Sequence, residues 1–207
     1  MNILDTTRAK VRSFMRMLAK GLHKVSGGKV TPNIVTLVSV LAYIPIAYYI
    51  AKGEFVLAVG LHVVFGSMDM LDGELARLTK KANQYGALWD ASSDRIKIGL
   101  VMAGAAQYMA LNGQAEYVYV PVMAAVVAAT VAYVKAKGEV GVALKEKGMD
   151  HHKINHVFKE GLIPYDLLNI YIIAMITGEV LAVSWAILIL GVVTYVWLLS
   201  KVNARIN

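Results

Sequence analysis

Cysteine is missing from the sequence altogether, so disulfides, thiolate metal sites, cysteine nucleophiles and covalent haem attachment are all excluded. Charge is scarce as well: 17% of the 207 residues are Asp, Glu, Lys or Arg, against about 25% in an ordinary soluble domain. Apolar residues make up 57%, and the mean hydropathy is +0.55. Disorder needs the opposite composition. There is no internal repeat and no low-complexity tract. The first 30 residues are basic and lack an apolar h-region, so no cleavable signal is expected. This composition indicates an all-α integral membrane protein with one domain spanning 1–207. A net charge of +7 on so apolar a chain points to Lys and Arg beside anionic lipid headgroups, and not to a nucleic-acid surface.

A membrane-crossing helix needs about 20 mostly apolar residues. Six stretches qualify, at roughly 33–51, 55–76, 87–112, 117–136, 161–178 and 180–200. Asp166 and Pro164 make the fifth the weakest, since a broken or re-entrant helix would give the same pattern. Basic residues set the expected orientation. Seven precede the first span, five lie at the second-to-third connection (Arg77, Lys80, Lys81, Arg95, Lys97), six at the fourth-to-fifth, and two close the chain. Lys52 alone falls on the other side, a split of 20 to 1. Six spans with both termini cytoplasmic satisfy that bias. Ahead of them, Val11, Phe14, Met15, Leu18, Leu22 and Val25 recur at helical spacing opposite Arg8, Arg12, Arg16 and Lys20. Residues 1–30 are therefore expected to place an amphipathic helix in the interface, ahead of a bundle over 33–200. Thr31 or Asn33 would cap the next helix.

The chemistry is concentrated in the second and third spans. Asp69, Asp72, Asp90 and Asp94 stand where lipid should be, and one carboxylate at a helix centre costs about 2.5–3.5 kcal/mol even on gentle insertion scales. Asp69 and Asp72 are three apart, Asp90 and Asp94 four, so each pair shares a helical face. The short polar link Leu78 to Tyr85 makes the two helices antiparallel neighbours and turns the pairs toward each other. Four converging carboxylates need a cation between them. Oxygen-only ligation favours Mg²⁺ or Mn²⁺, and four carboxylates have room for two ions, the usual clamp for phosphoryl transfer. Gly73, Ala76 and Gly86 keep bulk away from the acids, or else serve close helix packing. Arg77 has the reach to grip a phosphate, or to snorkel to the interface.

The order Asp69-x-x-Asp72-Gly73-x-x-Ala76-Arg77, eight residues, Gly86-x-x-x-Asp90-x-x-x-Asp94 resembles the signature of the CDP-alcohol phosphotransferase family, with all eight fixed positions present. The Pro32-Asn33-x-x-Thr36 opening and the span layout extend the resemblance over most of the chain. It implies a dimeric, Mg²⁺- or Mn²⁺-dependent membrane enzyme that moves a phosphatidyl-type group from a CDP-linked lipid to an alcohol and releases CMP. By the same resemblance, Asp69, Asp72 and Asp90 hold the metal with Asp94 completing the site and acting as general base. Gly73, Ala76 and Gly86 make room for the nucleotide, Arg77 meets the pyrophosphate, and Asn33, Thr36 and Asp69 face the CDP group. Glu74 and Trp89 fall at variable positions and carry no expected role.

Ala132-Tyr133-Val134-Lys135-Ala136-Lys137-Gly138-Glu139 is similar to the Ser-Tyr-x-Lys-Ala-Arg-x-Glu run of phosphatidylinositol-phosphate synthases and their archaetidylinositol-phosphate relatives. That likeness implies a phosphorylated polyol acceptor, inositol phosphate first, cradled by Arg95, Lys135 and Lys137. Ala132 replaces the serine and Lys137 the arginine of that run, which keeps glycerol 3-phosphate, and with it a phosphatidylglycerophosphate synthase, as the alternative. A divalent-cation transporter would also place acids in a membrane, yet it gives no reason for Gly73, Ala76, Arg77 and Gly86 at fixed offsets. His151, His152 and His156, with Asp150, share one stretch; without catalytic surroundings a solvated loop is expected there.

Overall fold

The computed structural model describes residues 3–145 and 164–206, and every regular element among them is helical. Helix α1 (Ile3–Val25) precedes α2 (Pro32–Ala51), α3 (Phe55–Gly66), α4 (Met68–Leu78), α5 (Gln84–Leu111), α6 (Tyr119–Lys145), α7 (Pro164–Ala174) and α8 (Val180–Ile206). His151, His152 and His156 lie outside the described residues.

Among the described residues, four segments are long and apolar enough to cross a membrane: Pro32–Ala51, Phe55–Leu78, Ala115–Gly141 and Val180–Arg205. The expectation of six is met only to that extent. Helix α5 has the length, 28 residues, but carries Asp90, Asp94, Arg95 and Lys97 in its first half. Of the fifth stretch, the described part runs over Pro164–Ala174, followed by a 3-10 turn at Met175–Thr177 and by Gly178 with φ 78°. The second stretch is not one continuous helix either. It breaks at Ser67, between α3 and α4, where Ser39 of α2 donates its hydroxyl to the Phe65 carbonyl at 2.9 Å.

Local sequence accounts for the helix ends that frame the site. Thr31 caps α2 by accepting from the Ile34 N–H, with Pro32 preorganised at the first helical position. Helix α4 closes through Lys80 in the left-handed region (φ 54°), the Lys81 N–H returning to the Ala76 carbonyl at 3.0 Å. Asn83 then caps α5, its Oδ1 accepting from the Gly86 N–H at 2.7 Å.

Helix α2 packs tightly on α5, and α6 on α8. Gly104 permits the first of these contacts, for a Cβ there would sit 2.5 Å from the Ala47 carbonyl oxygen. Tyr43, Ile46, Val101 and Ala105 fill the seam, all fully buried. Helix α1 forms where the pattern places it, with Met15 and Ala19 turned inward and Ala19 meeting Val35 and Leu75, while Val11, Phe14, Leu18 and Val25 of the expected apolar stripe stay exposed. The helix lies against α4, which places its basic face beside the acidic motif.

Candidate active site

Helices α4 and α5 run antiparallel from the Lys80 turn and bring the two acidic rows together. One carboxylate oxygen each from Asp69, Asp72 and Asp90 lies within 4.8 Å of the others. Asp94 stands outside this trio. It sits one turn, about 6 Å, further along α5 than Asp90, and its Oδ1 lies 3.5 Å from Lys97 Nζ without accepting a hydrogen bond. Asp94 adjoins the cluster through Lys97, whose Nζ is 2.5 Å from Asp69 Oδ1 and 3.5 Å from Asp94 Oδ1.

Thr36 donates its hydroxyl to Asp72 Oδ2 at 2.5 Å, fixing that carboxylate from α2. Asp69 Oδ1 accepts from Lys97 Nζ at 2.5 Å, and Ser39 Oγ lies 3.5 Å from the same oxygen. No side-chain donor reaches the Asp90 carboxylate among the described residues. Of the three, only Asp69 meets an ammonium, and the unused lone pairs of the cluster point to a hard cation. The donor set, all oxygen with no sulfur or imidazole, fits Mg²⁺ or Mn²⁺.

Two cavities meet at the trio. The first, about 190 Å³, is lined by Asn33, Thr36, Asp72, Gly73, Ala76, Arg77, Gly86 and Asp90. The second, about 510 Å³, reaches between α1 and α4 past Val11, Arg12, Met15, Met70 and Glu74. Asp72, Gly73, Arg77 and Asp90 border both. Gly73 and Gly86 do not serve helix packing. A Cβ on Gly73 would meet only the Arg77 guanidinium at 3.5 Å, and one on Gly86 only the capping Asn83 Oδ1 at 3.4 Å. Gly104 is the contrasting case, closed by backbone. The two motif glycines open onto the cavity.

Arg77 lines both cavities, but its guanidinium is engaged by Glu74 at 2.7 Å. Glu74, only 3% exposed, also accepts from Arg16 at 3.2 Å and has Arg12 at 4.0 Å. It is the buried post to which α1 is tied, a role its variable place in the motif concealed. Lys97, expected among the basic residues of the connection, is fully buried, with Tyr43 beneath its ammonium at 5.7 Å. Its spacing of three from Asp94 was the available signal. Arg95, Lys135 and Lys137 each engage their own helix. Arg95 donates to the Ala91 carbonyl, Lys135 pairs with Glu139 at 4.0 Å, and Lys137 lies over Tyr133. No hydrogen bond or ion pair joins these three to one another.

The fold and the paired acidic helices define a CDP-alcohol transferase architecture, and residues 29–197 match the family model described as CDP-alcohol phosphatidyltransferase. The chain belongs to that family. It is 33% identical over 114 residues to the phosphatidylinositol phosphate synthase of Corynebacterium glutamicum, a match covering 54% of this chain and 52% of that protein. With the archaetidylinositol phosphate synthase of Pyrococcus horikoshii it shares 24% identity over 181 residues, 84% of this chain and 90% of the other. The chain thus spans about half the length of the first relative and most of the second. Among solved structures, the Mycobacterium tuberculosis phosphatidylinositol phosphate synthase in complex with manganese and citrate superposes with a TM-score of 0.72 at 24% identity, covering 91% of this chain and 88% of that one. The same mycobacterial protein with CDP-DAG bound gives 0.70 at 24% identity, covering 91% and 92%. These likenesses establish the shared fold. Long apolar helices in a membrane family make the protein an integral membrane protein.

Proposed function

We propose that this protein transfers a phosphatidyl-type group from a CDP-linked lipid to a phosphorylated polyol, inositol phosphate first, and releases CMP. One observation carries the reading: the Asp69, Asp72 and Asp90 oxygens face one another within 4.8 Å where two cavities meet. Asp69, Asp72 and Asp90 would hold Mg²⁺ or Mn²⁺, with Asp94 beside them. The ion, when bound, offsets charge on the pyrophosphate and on the departing CMP. The manganese and the CDP-DAG of the mycobacterial relative support both assignments.

The chain's own groups supply the rest. Thr36 holds Asp72 in one rotamer, and Gly73, Ala76 and Gly86 leave the smaller cavity open for the cytidine, with Asn33 at its rim. Arg77, fixed by Glu74, reaches the diphosphate from the cavity wall. Asp94, one turn along α5 from Asp90, takes the proton of the acceptor hydroxyl. That oxygen forms the new bond to the lipid-side phosphorus while the bond from phosphorus to the CMP oxygen breaks. Arg95, Lys135 and Lys137 attract the acceptor's phosphate.

We read residues 1–207 as one domain, its active face and both ends cytoplasmic as the basic bias requires, and the working unit as a homodimer. The experiment is CMP release by purified protein with CDP-diacylglycerol or its ether analogue, Mg²⁺, and inositol phosphate, glycerol 3-phosphate, serine or inositol in parallel. A phosphorylated acceptor should win. Preference for an uncharged alcohol overturns the acceptor assignment, and cation flux into proteoliposomes without turnover overturns the enzyme.

A further inference from the structure

Glu74 has three cationic partners where one would match its charge. Its carboxylate is only 3% exposed, and a buried carboxylate left without a counter-charge is strongly destabilising. The two oxygens are not served alike. Arg16 Nε donates to Oε2 at 3.2 Å, while Arg77 and Arg12 both address Oε1, Arg77 at 2.7 Å and Arg12 Nε at 4.0 Å. The Arg12 contact is an ion pair, too long for a hydrogen bond. Arg77 is the partner that also faces the site. It borders the smaller cavity with Gly86 and Asp90, and its guanidinium lies over Gly73, 3.5 Å from where a Cβ would stand. The lining of that cavity includes neither Arg12 nor Arg16.

We infer that Glu74 gives up Arg77 to an entering diphosphate and takes Arg12 in its place, so that donor binding fastens α1 more tightly to α4. A bidentate grip on phosphate uses two nitrogens of the guanidinium fork, and Arg77 Nη2 is already engaged by Glu74. The diphosphate therefore loosens that contact. Glu74 Oε1 then needs another donor, and Arg12 stands about 1 Å beyond hydrogen-bonding range of that same oxygen. Arg12 and Arg16 are neighbours one turn apart on α1, so together they hold both carboxylate oxygens from one helix. Met15 and Ala19, both buried, keep the helix seated while the side chain closes. Arg12 is thus a positioning residue, acting on the donor through Glu74 and Arg77. The inference rests on the proposed transferase reading, which supplies the diphosphate, but makes a separate claim about how α1 responds to it.

The test is hydrogen–deuterium exchange of the backbone amides of residues 11–20, in purified full-length protein in lipid nanodiscs with Mg²⁺, with and without CDP-diacylglycerol, alongside donor kinetics. In wild-type protein the donor should slow exchange there about two- to fivefold, the scale of one partly exposed ion pair. Arg12→Gln should leave exchange without donor unchanged and abolish the slowing. It should also raise the KM for CDP-diacylglycerol about two- to fivefold with kcat nearly unchanged. Arg12→Lys, which keeps the charge, should restore both. In a Glu74→Gln background, with no carboxylate charge to balance, Arg12→Gln should have no further effect. Three results overturn the inference and leave the transferase reading standing. They are turnover without donor-dependent slowing in wild-type protein, slowing that persists in Arg12→Gln, and an equal KM effect of Arg12→Gln with and without Glu74, which would put Arg12 on the donor itself. Wild-type protein that neither binds CDP-diacylglycerol nor releases CMP overturns both.

Discussion

Thr36 on α2 donates its hydroxyl to Asp72 Oδ2 on α4 at 2.5 Å, and both side chains are buried. An apolar helix and the acidic helix therefore join at a carboxylate of the Asp69, Asp72 and Asp90 cluster. The contact orients a group whose own backbone only roughly aims it. Thr36→Val keeps the shape and removes the donor, so it should weaken Mn²⁺ binding by about 10–100-fold, the usual cost of losing an outer partner of a metal ligand. Thr36→Ser should restore it. A Mn²⁺ titration of the two variants decides this.

The three glycines Gly73, Gly86 and Gly104 look alike in sequence and do opposite things. Gly104→Ala forces a Cβ against the Ala47 carbonyl and should cost about 1–3 kcal/mol of stability through overpacking. Gly73→Leu meets no packed backbone and should leave thermal unfolding unchanged. Its side chain fills the cavity proposed for the nucleotide, so the KM for the CDP-lipid should rise at least about tenfold. Thermal unfolding and initial rates, measured on both proteins, should show the two effects separated.

Glu74 ties α1 to the site through Arg16 and Arg77. Losing partly exposed charge-assisted contacts is worth on the order of 1 kcal/mol, which corresponds to about fivefold in an opening equilibrium. Glu74→Gln should therefore speed trypsin cleavage at Arg12 and Arg16 by about that factor. Unchanged cleavage would mean that Met15 and Ala19 hold the helix by themselves.

Lys135 is half-buried and paired with Glu139 at 4.0 Å, a weak contact that leaves the ammonium available to an anion. Lys135→Ala should raise the KM for the phosphorylated acceptor more than it lowers kcat, because the charge binds a group distant from the reacting oxygen. Kinetics against inositol phosphate check it; an equal loss in kcat alone would assign the residue elsewhere.

Much of this site was legible in the sequence, and the exceptions share one cause. Helical periodicity and a short polar link bring Asp69, Asp72 and Asp90 together, because those depend only on backbone geometry. Periodicity also places Met15 and Leu22 on one face of α1. What periodicity does not weigh is a charge neutralised by tertiary contact. Lys97 sorted with the surface basics because its partner Asp69 is 28 residues away, and Glu74 had no role because Arg12 and Arg16 lie on another helix. The break at Ser67 is of the same kind, since the donor that stabilises it, Ser39, comes from α2. Hydropathy likewise counts α5 as marginal, because its acids and Lys97 cancel within the fold and not along the chain.

The most direct measurement is CMP release from CDP-diacylglycerol by wild-type, Asp72→Asn and Asp90→Asn protein, with inositol phosphate and Mg²⁺. Acceptor-dependent release that EDTA abolishes, and that falls about a hundred- to a thousandfold in both variants, is the expected result, given that removing an electrostatic stabiliser of the transition state costs about 10²–10³. Wild-type rates in either variant, or release indifferent to EDTA, would contradict the account.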